Sequence, residues 1–131
     1  MEGEFRNLLI KTGSLKFGDF ILKSGKRSRY YIDMRTAFSH PDILELVSCA
    51  AADKIADLEF DSYLAIPMGG IPLAVALSLK TGHRYGYLRK ERKEHGLRKI
   101  VEGDVSTDDW LLLVDDVLTT GSSIASALEL L

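Results

Sequence analysis

The segment that most constrains how this chain can fold covers residues 110–124, WLLLVDDVLTTGSSI. Its apolar run Leu111–Val114 is typical of a strand that is buried on both faces in a parallel sheet. Asp115 and Asp116 follow where that strand ends, and a helical pattern begins near Ile124. A strand, a polar loop and a helix in this order predict an α/β fold.

The loop between this strand and this helix has the composition of an anion site. Residues 119–123 are two threonines, a glycine and two serines. Their hydroxyls and backbone N–H groups converge at a helix N-terminus, which carries partial positive charge. Gly121 lets the backbone come close to a ligand. We therefore predict a bound phosphate, although no Walker A sequence occurs in the chain.

The adjacent carboxylates of Asp115 and Asp116 restrict what that phosphate belongs to. Carboxylates repel a phosphate, so they are expected to face sugar hydroxyls, a developing positive charge or a metal ion. A phosphate loop beside two such acids suggests a phosphorylated ribose. The alternative interpretation is a buried strand that ends in an ordinary acidic turn with a Thr or Ser helix cap.

This segment resembles the signature of the type I phosphoribosyltransferases, in which an apolar run and two acids precede a Thr-Thr-Gly-Ser loop. The resemblance implies that the loop holds the 5-phosphate of phosphoribosyl pyrophosphate (PRPP) and that the two acids face the ribose and act in catalysis. The PRPP-binding residues that it implies here are Asp115, Asp116, Val117, Leu118, Thr119, Thr120, Gly121, Ser122 and Ser123.

Composition indicates one globular domain. The chain has 131 residues, 46% of them hydrophobic, and a net charge of −2, so nothing points to nucleic acid or an anionic membrane as a partner. The single Cys49 excludes an internal disulfide and is predicted to be a buried structural thiol. Because neither a signal peptide nor a membrane-length apolar run is present, we expect a cytoplasmic protein.

The amino-terminal third predicts a helix and a hairpin. Residues 5–12 have helical spacing, and Gly13 suits the position after a helix. Residues 15–22 and 29–33 are β-prone runs on either side of a Ser-Gly turn, which predicts a hairpin that stands apart from the main sheet as a hood.

The rest of the chain alternates between helical and strand patterns. Ser39 is predicted to cap a helix, a strand is predicted at residues 62–67, and a helix that ends at Gly82 precedes the strand Arg84–Leu88. Residues 89–103 read as irregular. This order predicts an open, mainly parallel sheet flanked by helices, with ligands at the carboxyl ends of its strands.

We expect one domain over residues 1–131, with a hood of about 1–35 and a core of about 36–131. The chain stops inside the predicted last helix. Members of the resembled family continue with a further strand and an arginine that binds the base. We therefore expect a truncated chain that lacks its C-terminal strand.

The turn after the first core strand is a second candidate for binding an anion. Pro67-Met68-Gly69-Gly70 can bare backbone N–H groups, because glycine allows unusual dihedral angles and close approach. A plain strand-to-helix turn is the alternative. In the resembled family this loop binds pyrophosphate, which implies that Met68 and Gly69 bind PRPP, although many bacterial members carry a lysine in place of Gly69.

A basic segment follows the second core strand. Between Arg84 and Lys99 there are seven Lys or Arg residues against two Glu. Such a run is usually a solvated face. Next to a phosphate site, however, a cationic loop can close over pyrophosphate as it leaves and keep water out.

The segment RKERKEHG resembles the catalytic loop of the orotate phosphoribosyltransferases, the pyrimidine branch of the family. The resemblance implies that Lys93 is catalytic and that Arg89, Lys90, Lys93 and His95 bind PRPP. It also implies a homodimer in which the 89–96 loop reaches into the neighbouring subunit's site.

The hairpin contains a third match to the same family. Lys23-Ser-Gly and the pair Tyr30-Tyr31 resemble the segment that lies over the base. The resemblance implies that Lys23 binds both PRPP and orotate, and that Tyr30, Tyr31 and Thr119 bind orotate. A flat anion suits a ring face and a cation. Neighbouring strand residues point to opposite faces, so only one tyrosine is expected to stack on the base. The alternative is that both tyrosines are packing residues of the hairpin.

Together these matches imply transfer of phosphoribose from PRPP to N1 of orotate, which gives orotidine 5′-monophosphate and pyrophosphate for pyrimidine (UMP) biosynthesis. Mg²⁺ would be held mainly by the substrate, with no direct protein ligand. Two alternatives stay open: a regulatory protein that binds PRPP without catalysis, and a phosphoribosyltransferase for another base.

Overall fold

The computed structural model describes residues 2–89, 100–106 and 108–131. The chain divides into two compact units, Met1–Leu46 and Val47–Leu131, and each is described by itself. The expected domain organisation, with a hood of about 1–35 and a core of about 36–131, stays a prediction.

The first unit begins with helix α1 (Glu2–Lys11). Gly13 follows it with a φ of 72°, and its N–H donates to the carbonyl of Ile10 at 3.1 Å. This left-handed conformation is the helix stop that glycine permits. The predicted helix and its end are confirmed.

Strands β1 (Leu15–Ile21) and β2 (Arg27–Ile32) form an antiparallel hairpin. Its turn is closed by the N–H of Leu22, which donates to the carbonyl of Lys26 at 2.9 Å. Gly25 occupies the turn position that requires a positive φ, at 79°. The hairpin predicted from the Ser-Gly turn is confirmed.

Two helices follow: α2 (Met34–Phe38) and α3 (Pro41–Ile55). The short α2 was not predicted, and Asp33 caps it by accepting the N–H of Thr36 at 3.1 Å. The predicted Ser39 cap of α3 is wrong, because Ser39 ends α2 and its hydroxyl donates to the carbonyl of Thr36 at 2.6 Å.

The prediction of a buried Cys49 is also wrong. Cys49 is exposed on α3, whereas its neighbour Ser48 is fully buried. Consecutive helical residues lie about 100° apart around the axis. The inward-facing position in this turn therefore belongs to the serine.

The second unit contains, among its described residues, a four-stranded sheet in the order β5-β4-β3-β6. The strands are β3 (Ser62–Ala65), β4 (Arg84–Leu88), β5 (Val101–Glu102) and β6 (Leu111–Val114). Strands β4, β3 and β6 run parallel, and β5 is antiparallel to β4. The predicted open, mainly parallel sheet is confirmed. The prediction that residues 89–103 are irregular is wrong at Val101–Glu102, which form β5.

Burial differs between the central strand and its neighbour. All four residues of β3 are buried, whereas Val114 alone is buried in β6. The predicted burial of Leu111–Val114 on both faces is therefore wrong. Within the described residues β6 lies at the edge of the sheet, where fewer elements cover it. Leu64 and Ile66 form one cluster of the core with Leu88 and with Ala127 of the last helix.

Helices α4 (Gly70–Thr81) and α5 (Ser122–Leu130) follow β3 and β6. Gly82 ends α4 with a φ of 78°, as predicted. None of the helices in the described part of the chain combines the length and the apolar character that crossing a bilayer requires.

The amino ends of three strands are tied together by two aspartates. Asp61 accepts the N–H of Trp110 at 2.7 Å, which joins the start of β3 to the start of β6. Asp109 accepts the hydroxyl of Ser62 at 3.1 Å and pairs with Arg84 of β4 at 3.2 Å. The Ser106 N–H holds the pKa of Asp109 below its usual value, with smaller contributions from Ser62 and Arg84. These bonds align the strands, and hence also their carboxyl ends.

Candidate active site

The carboxyl ends of β4, β3 and β6 lie side by side along one edge of the sheet. Neighbouring strands are about 4.8 Å apart, so the ends of β4 and β6 are separated by about 10 Å. Residues 67–70 follow β3, Arg89 follows β4, and Asp115 and Asp116 follow β6. Three of the predicted site segments therefore meet at this edge.

The acid pair lies at the end of β6, and both side chains are half-buried. The N–H of Asp116 donates to Oδ1 of Asp115 at 2.9 Å. Burial raises the pKa of the Asp115 carboxyl, and the neighbouring Asp116 carboxyl raises it further, whereas the donated N–H opposes the shift. The two carboxylates form a concentrated negative centre that favours hydroxyl donors or positive charge.

The loop after β3 packs directly against this acid pair. A Cβ atom on Gly69 would lie 2.0 Å from Oδ2 of Asp116, and one on Gly70 would lie 2.3 Å from the carbonyl oxygen of Val114. Real Cβ atoms essentially never lie so close to another atom, so a neighbouring group would have to shift. Gly70 is therefore required by its close approach to backbone, whereas a side chain at position 69 would require the Asp116 carboxylate to move.

The same loop has backbone N–H groups that are available to bind a ligand. The N–H of Gly70 donates to the carbonyl of Ile66 at 3.0 Å, and the N–H of Ile71 is 3.3 Å from the carbonyl of Met68. The N–H groups of Met68 and Gly69 have no backbone partner among the described residues. They are the two groups in this turn that can bind an oxyanion, and they belong to the residues predicted to bind PRPP.

The loop after the acid pair ends at the N-terminus of α5. Gly121 has a φ of 79° and begins the helix. The N–H of Ala125 makes the first helical bond, to the carbonyl of Gly121 at 2.9 Å. The preceding N–H groups have no helical acceptor, which is general for the first turn of a helix.

A small pocket lies at this helix end. The N–H of Ser122 is 3.4 Å from the hydroxyl of Thr120. The pocket is lined by Asp115, Val117, Leu118, Thr119, Gly121, Ser122, Ser123 and Ile124. The arrangement can bind a phosphate beside an acid, which is what the sequence pattern predicts.

Arg89 forms an ion pair that the sequence did not reveal. Its Nη1 lies 2.5 Å from Oε1 of Glu102 on β5. A signal was present, since Glu102 is an acid just beyond the basic segment, but the antiparallel β5 was not recognised. Three further predicted site residues, Lys90, Lys93 and His95, lie outside the described residues.

Lys23, Tyr30 and Tyr31, three of the four predicted base-binding residues, belong to the first unit, and Thr119 belongs to the second. Lys23 is exposed in the hairpin turn. The Tyr31 ring centroid lies 5.8 Å from that of Phe20, while Tyr30, paired across the hairpin with Phe17, is 55% exposed. Tyr30 is thus the more exposed of the two rings.

No group of three or more His, Cys, Asp or Glu side chains that could hold a metal ion occurs among the described residues. Mg²⁺ takes oxygen ligands and is commonly bound by one or two carboxylates together with substrate phosphates. Asp115 and Asp116 suit that mode. The prediction that Mg²⁺ is held mainly by the substrate stays a prediction.

Comparison with known proteins gives a consistent result. A family model described as the phosphoribosyl transferase domain matches residues 36–131. The orotate phosphoribosyltransferase of Archaeoglobus fulgidus is 49% identical over 119 residues, which cover 91% of this chain and 67% of the relative.

Solved structures agree on the fold. The orotate phosphoribosyltransferase from Aeropyrum pernix is 35% identical with a TM-score of 0.78, and the match covers 94% of this chain and 70% of that one. The UMP synthase of Leishmania donovani is 31% identical with a TM-score of 0.84, over 96% of this chain and 27% of that one.

Proposed function

This chain belongs to the orotate phosphoribosyltransferase family, and from that premise we propose that it transfers phosphoribose from PRPP to N1 of orotate. The products are orotidine 5′-monophosphate and pyrophosphate, in pyrimidine nucleotide synthesis. The observation that carries the proposal is the contact between the acid pair and a turn that can bind an anion. The acid pair that follows β6 touches the glycine turn that follows β3, and the phosphate loop begins directly after the acids.

The 5-phosphate binds at the N-terminus of α5. Residues 119–123 supply hydroxyls and the unused N–H groups of the first helical turn. The anchored phosphate fixes the ribose next to Asp115 and Asp116. Fixing the sugar lowers the entropic cost of bringing its anomeric carbon to the base.

The acid pair acts on the sugar. In the reaction the bond from the anomeric carbon to the pyrophosphate oxygen breaks, the bond to N1 of orotate forms, and the N1 proton passes to the departing pyrophosphate or to water. Positive charge develops on the ribose in the transition state. Asp115 and Asp116 hold the ribose hydroxyls and stabilise that charge. Orotate supplies the nucleophilic nitrogen, so no protein nucleophile is required.

The opposite charge develops on the departing pyrophosphate. The N–H groups of Met68 and Gly69 and the guanidinium of Arg89 are donors at the same sheet edge. Lys90, Lys93 and His95, assigned by resemblance, complete the cationic side, and Lys93 is the catalytic member. Cationic groups that engage the leaving group mainly in the transition state increase kcat.

The base is held by the hairpin residues in this proposal. Tyr30, the more exposed ring, offers its face to the flat orotate, while Lys23 and Thr119 offer polar groups. Mg²⁺ would be held mainly by the substrate and would offset negative charge on the pyrophosphate. We further propose a cytoplasmic homodimer in which the 89–96 loop acts across the interface.

The loss of orotate absorbance on mixing the protein with PRPP and Mg²⁺ tests the proposal. Omitting either PRPP or orotate should abolish the signal. Turnover of adenine or another base in place of orotate would move the chain to a different branch of the family. Tight PRPP binding without turnover of any base would favour the regulatory alternative.

Lys93→Ala separates catalysis from binding. We expect a fall in kcat of roughly a hundredfold or more, since stabilisation of the leaving group is lost, with PRPP affinity mostly retained. Arg92→Ala is the matched control, because Arg92 is the neighbouring cation to which the resemblance assigns no role. Equal turnover in the Lys93→Ala variant and the wild type would remove Lys93 from the mechanism.

A further inference from the structure

Glu102 is the acid that pairs with Arg89, one of the donors on the pyrophosphate side of the proposed site. Its Oε1 accepts a hydrogen bond from Nη1 of Arg89 at 2.5 Å. The Arg89 side chain is 27% exposed and the Glu102 side chain 35% exposed, so the pair is partly shielded from water. A partly buried, charge-assisted hydrogen bond restrains its partners more than a surface ion pair does.

The backbone fixes Glu102 in place. Strand β5 pairs with the end of β4, with Glu102 opposite Tyr87 and Val101 opposite Leu88. The N–H of Arg89 continues this pairing by donating to the carbonyl of Ile100 at 2.8 Å. The carbonyl oxygen of Glu102 also lies over Gly86, where a Cβ atom would be 2.6 Å from it.

The contact occupies only part of the guanidinium. Arginine carries five N–H donors in a planar fork, and Glu102 takes one of them. Among the described residues the Arg89 side chain has no second partner. The remaining donors can therefore bind a ligand while the carboxylate holds one edge of the group.

We propose that Glu102 is a positioning residue for the pyrophosphate side of the reaction. It holds Arg89 at the carboxyl end of β4 in the orientation that receives the pyrophosphate of PRPP. This inference rests on the proposed function. Without Glu102 the long arginine side chain samples several rotamers and engages the pyrophosphate less often.

Glu102→Gln removes the charge with little change in shape. We expect kcat/KM for PRPP to fall roughly tenfold or more, mainly through a higher KM for PRPP, with the KM for orotate unchanged. Glu102→Asp keeps the charge and should recover part of the loss. A residue with a merely structural role would not raise the KM for PRPP while leaving the KM for orotate unchanged.

The matched control is Asp104→Asn. Asp104 lies two residues beyond Glu102 and pairs with Arg84 at 3.3 Å, at the amino end of β4. The Asp104→Asn substitution removes one negative charge from the same segment, as Glu102→Gln does, and we expect unchanged kinetics. If Asp104→Asn raises the KM for PRPP as much as Glu102→Gln does, the effect belongs to net charge and the inference is overturned.

A double-mutant cycle that combines Glu102→Gln with Arg89→Ala tests whether Glu102 acts through Arg89. Because Glu102 acts through Arg89, Glu102→Gln should have little further effect in the Arg89→Ala background. If the losses in kcat/KM from Glu102→Gln and Arg89→Ala multiply in the double variant, the inference is overturned. Unchanged kinetics in Glu102→Gln would also overturn it. Wild-type protein without PRPP-dependent loss of orotate would instead reject the proposed function.

Discussion

At the scale of single residues, the site depends on a glycine beside a carboxylate. Gly69 and Asp116 come from different segments of the chain, yet the space that a Cβ atom on Gly69 would need is filled by the Asp116 carboxylate. The sequence indicated both residues, each by its own motif. It could not indicate that they touch, because that contact depends on how β3 and β6 pair.

Gly69→Ala tests this contact. The added methyl group would lie 2.0 Å from Oδ2 of Asp116, so the carboxylate must move. We expect kcat/KM for PRPP to fall roughly tenfold, because misplaced catalytic groups are costly. Gly3→Ala is the control, since nothing lies within 4 Å of its added Cβ atom. Unchanged kinetics in Gly69→Ala would show that the position of Asp116 is not critical.

Asp115→Asn tests the cost of the acid pair to folding. Burial raises the pKa of Asp115 above its ordinary 3.8, so the native state holds this proton more tightly than the unfolded state does. The stability that the protonated Asp115 carboxyl contributes is therefore lost as the pH rises from below 3.8 through the folded pKa.

We accordingly expect the urea midpoint of Asp115→Asn, relative to wild type, to rise between about pH 3 and about pH 7. Turnover should fall at the same time, since the carboxylate that faces the ribose is gone. Parallel pH profiles for the two proteins would contradict the raised pKa.

At the scale of elements, helices with a long periodic pattern and a glycine stop were predicted well from the sequence, and short elements were not. Helices α1 and α4 end where Gly13 and Gly82 suggested. Helix α2 and strand β5 have only five and two residues, too few for a hydrophobic period to stand out. Ser39 was misassigned for that reason, since the helix that it ends was not recognised.

Asp33→Ala tests the cap of α2. Asp33 accepts bonds from the N–H and hydroxyl of Thr36, and these bonds lower the pKa of its carboxyl. We expect a loss of about 1 kcal/mol in the free energy of unfolding near neutral pH. Asp53→Ala, an exposed position within α3, is the control.

The pH dependence has a defined sign. Because the folded pKa of Asp33 is depressed, its stabilisation is present above the unfolded pKa and is lost as the pH falls through the folded value. The wild type and Asp33→Ala should therefore converge in stability in acid. A constant difference down to low pH would contradict an ionised cap.

At the scale of the whole molecule, the strand order places the chemistry. The carboxyl ends of β4, β3 and β6 are neighbours, and each is followed by a segment that the sequence had marked as functional. Parallel pairing makes such convergence predictable from the order of elements alone. The Arg89–Glu102 pair was not predictable in this way, because it requires the antiparallel return of β5.

The most direct measurement is a crystal structure of the protein with PRPP and Mg²⁺. We expect the ribose hydroxyls to lie within about 3 Å of the Asp115 and Asp116 carboxylates, with the 5-phosphate on the N–H groups and hydroxyls of residues 119–123. Acids that point away from the ribose, or a 5-phosphate bound elsewhere, would contradict the proposed site.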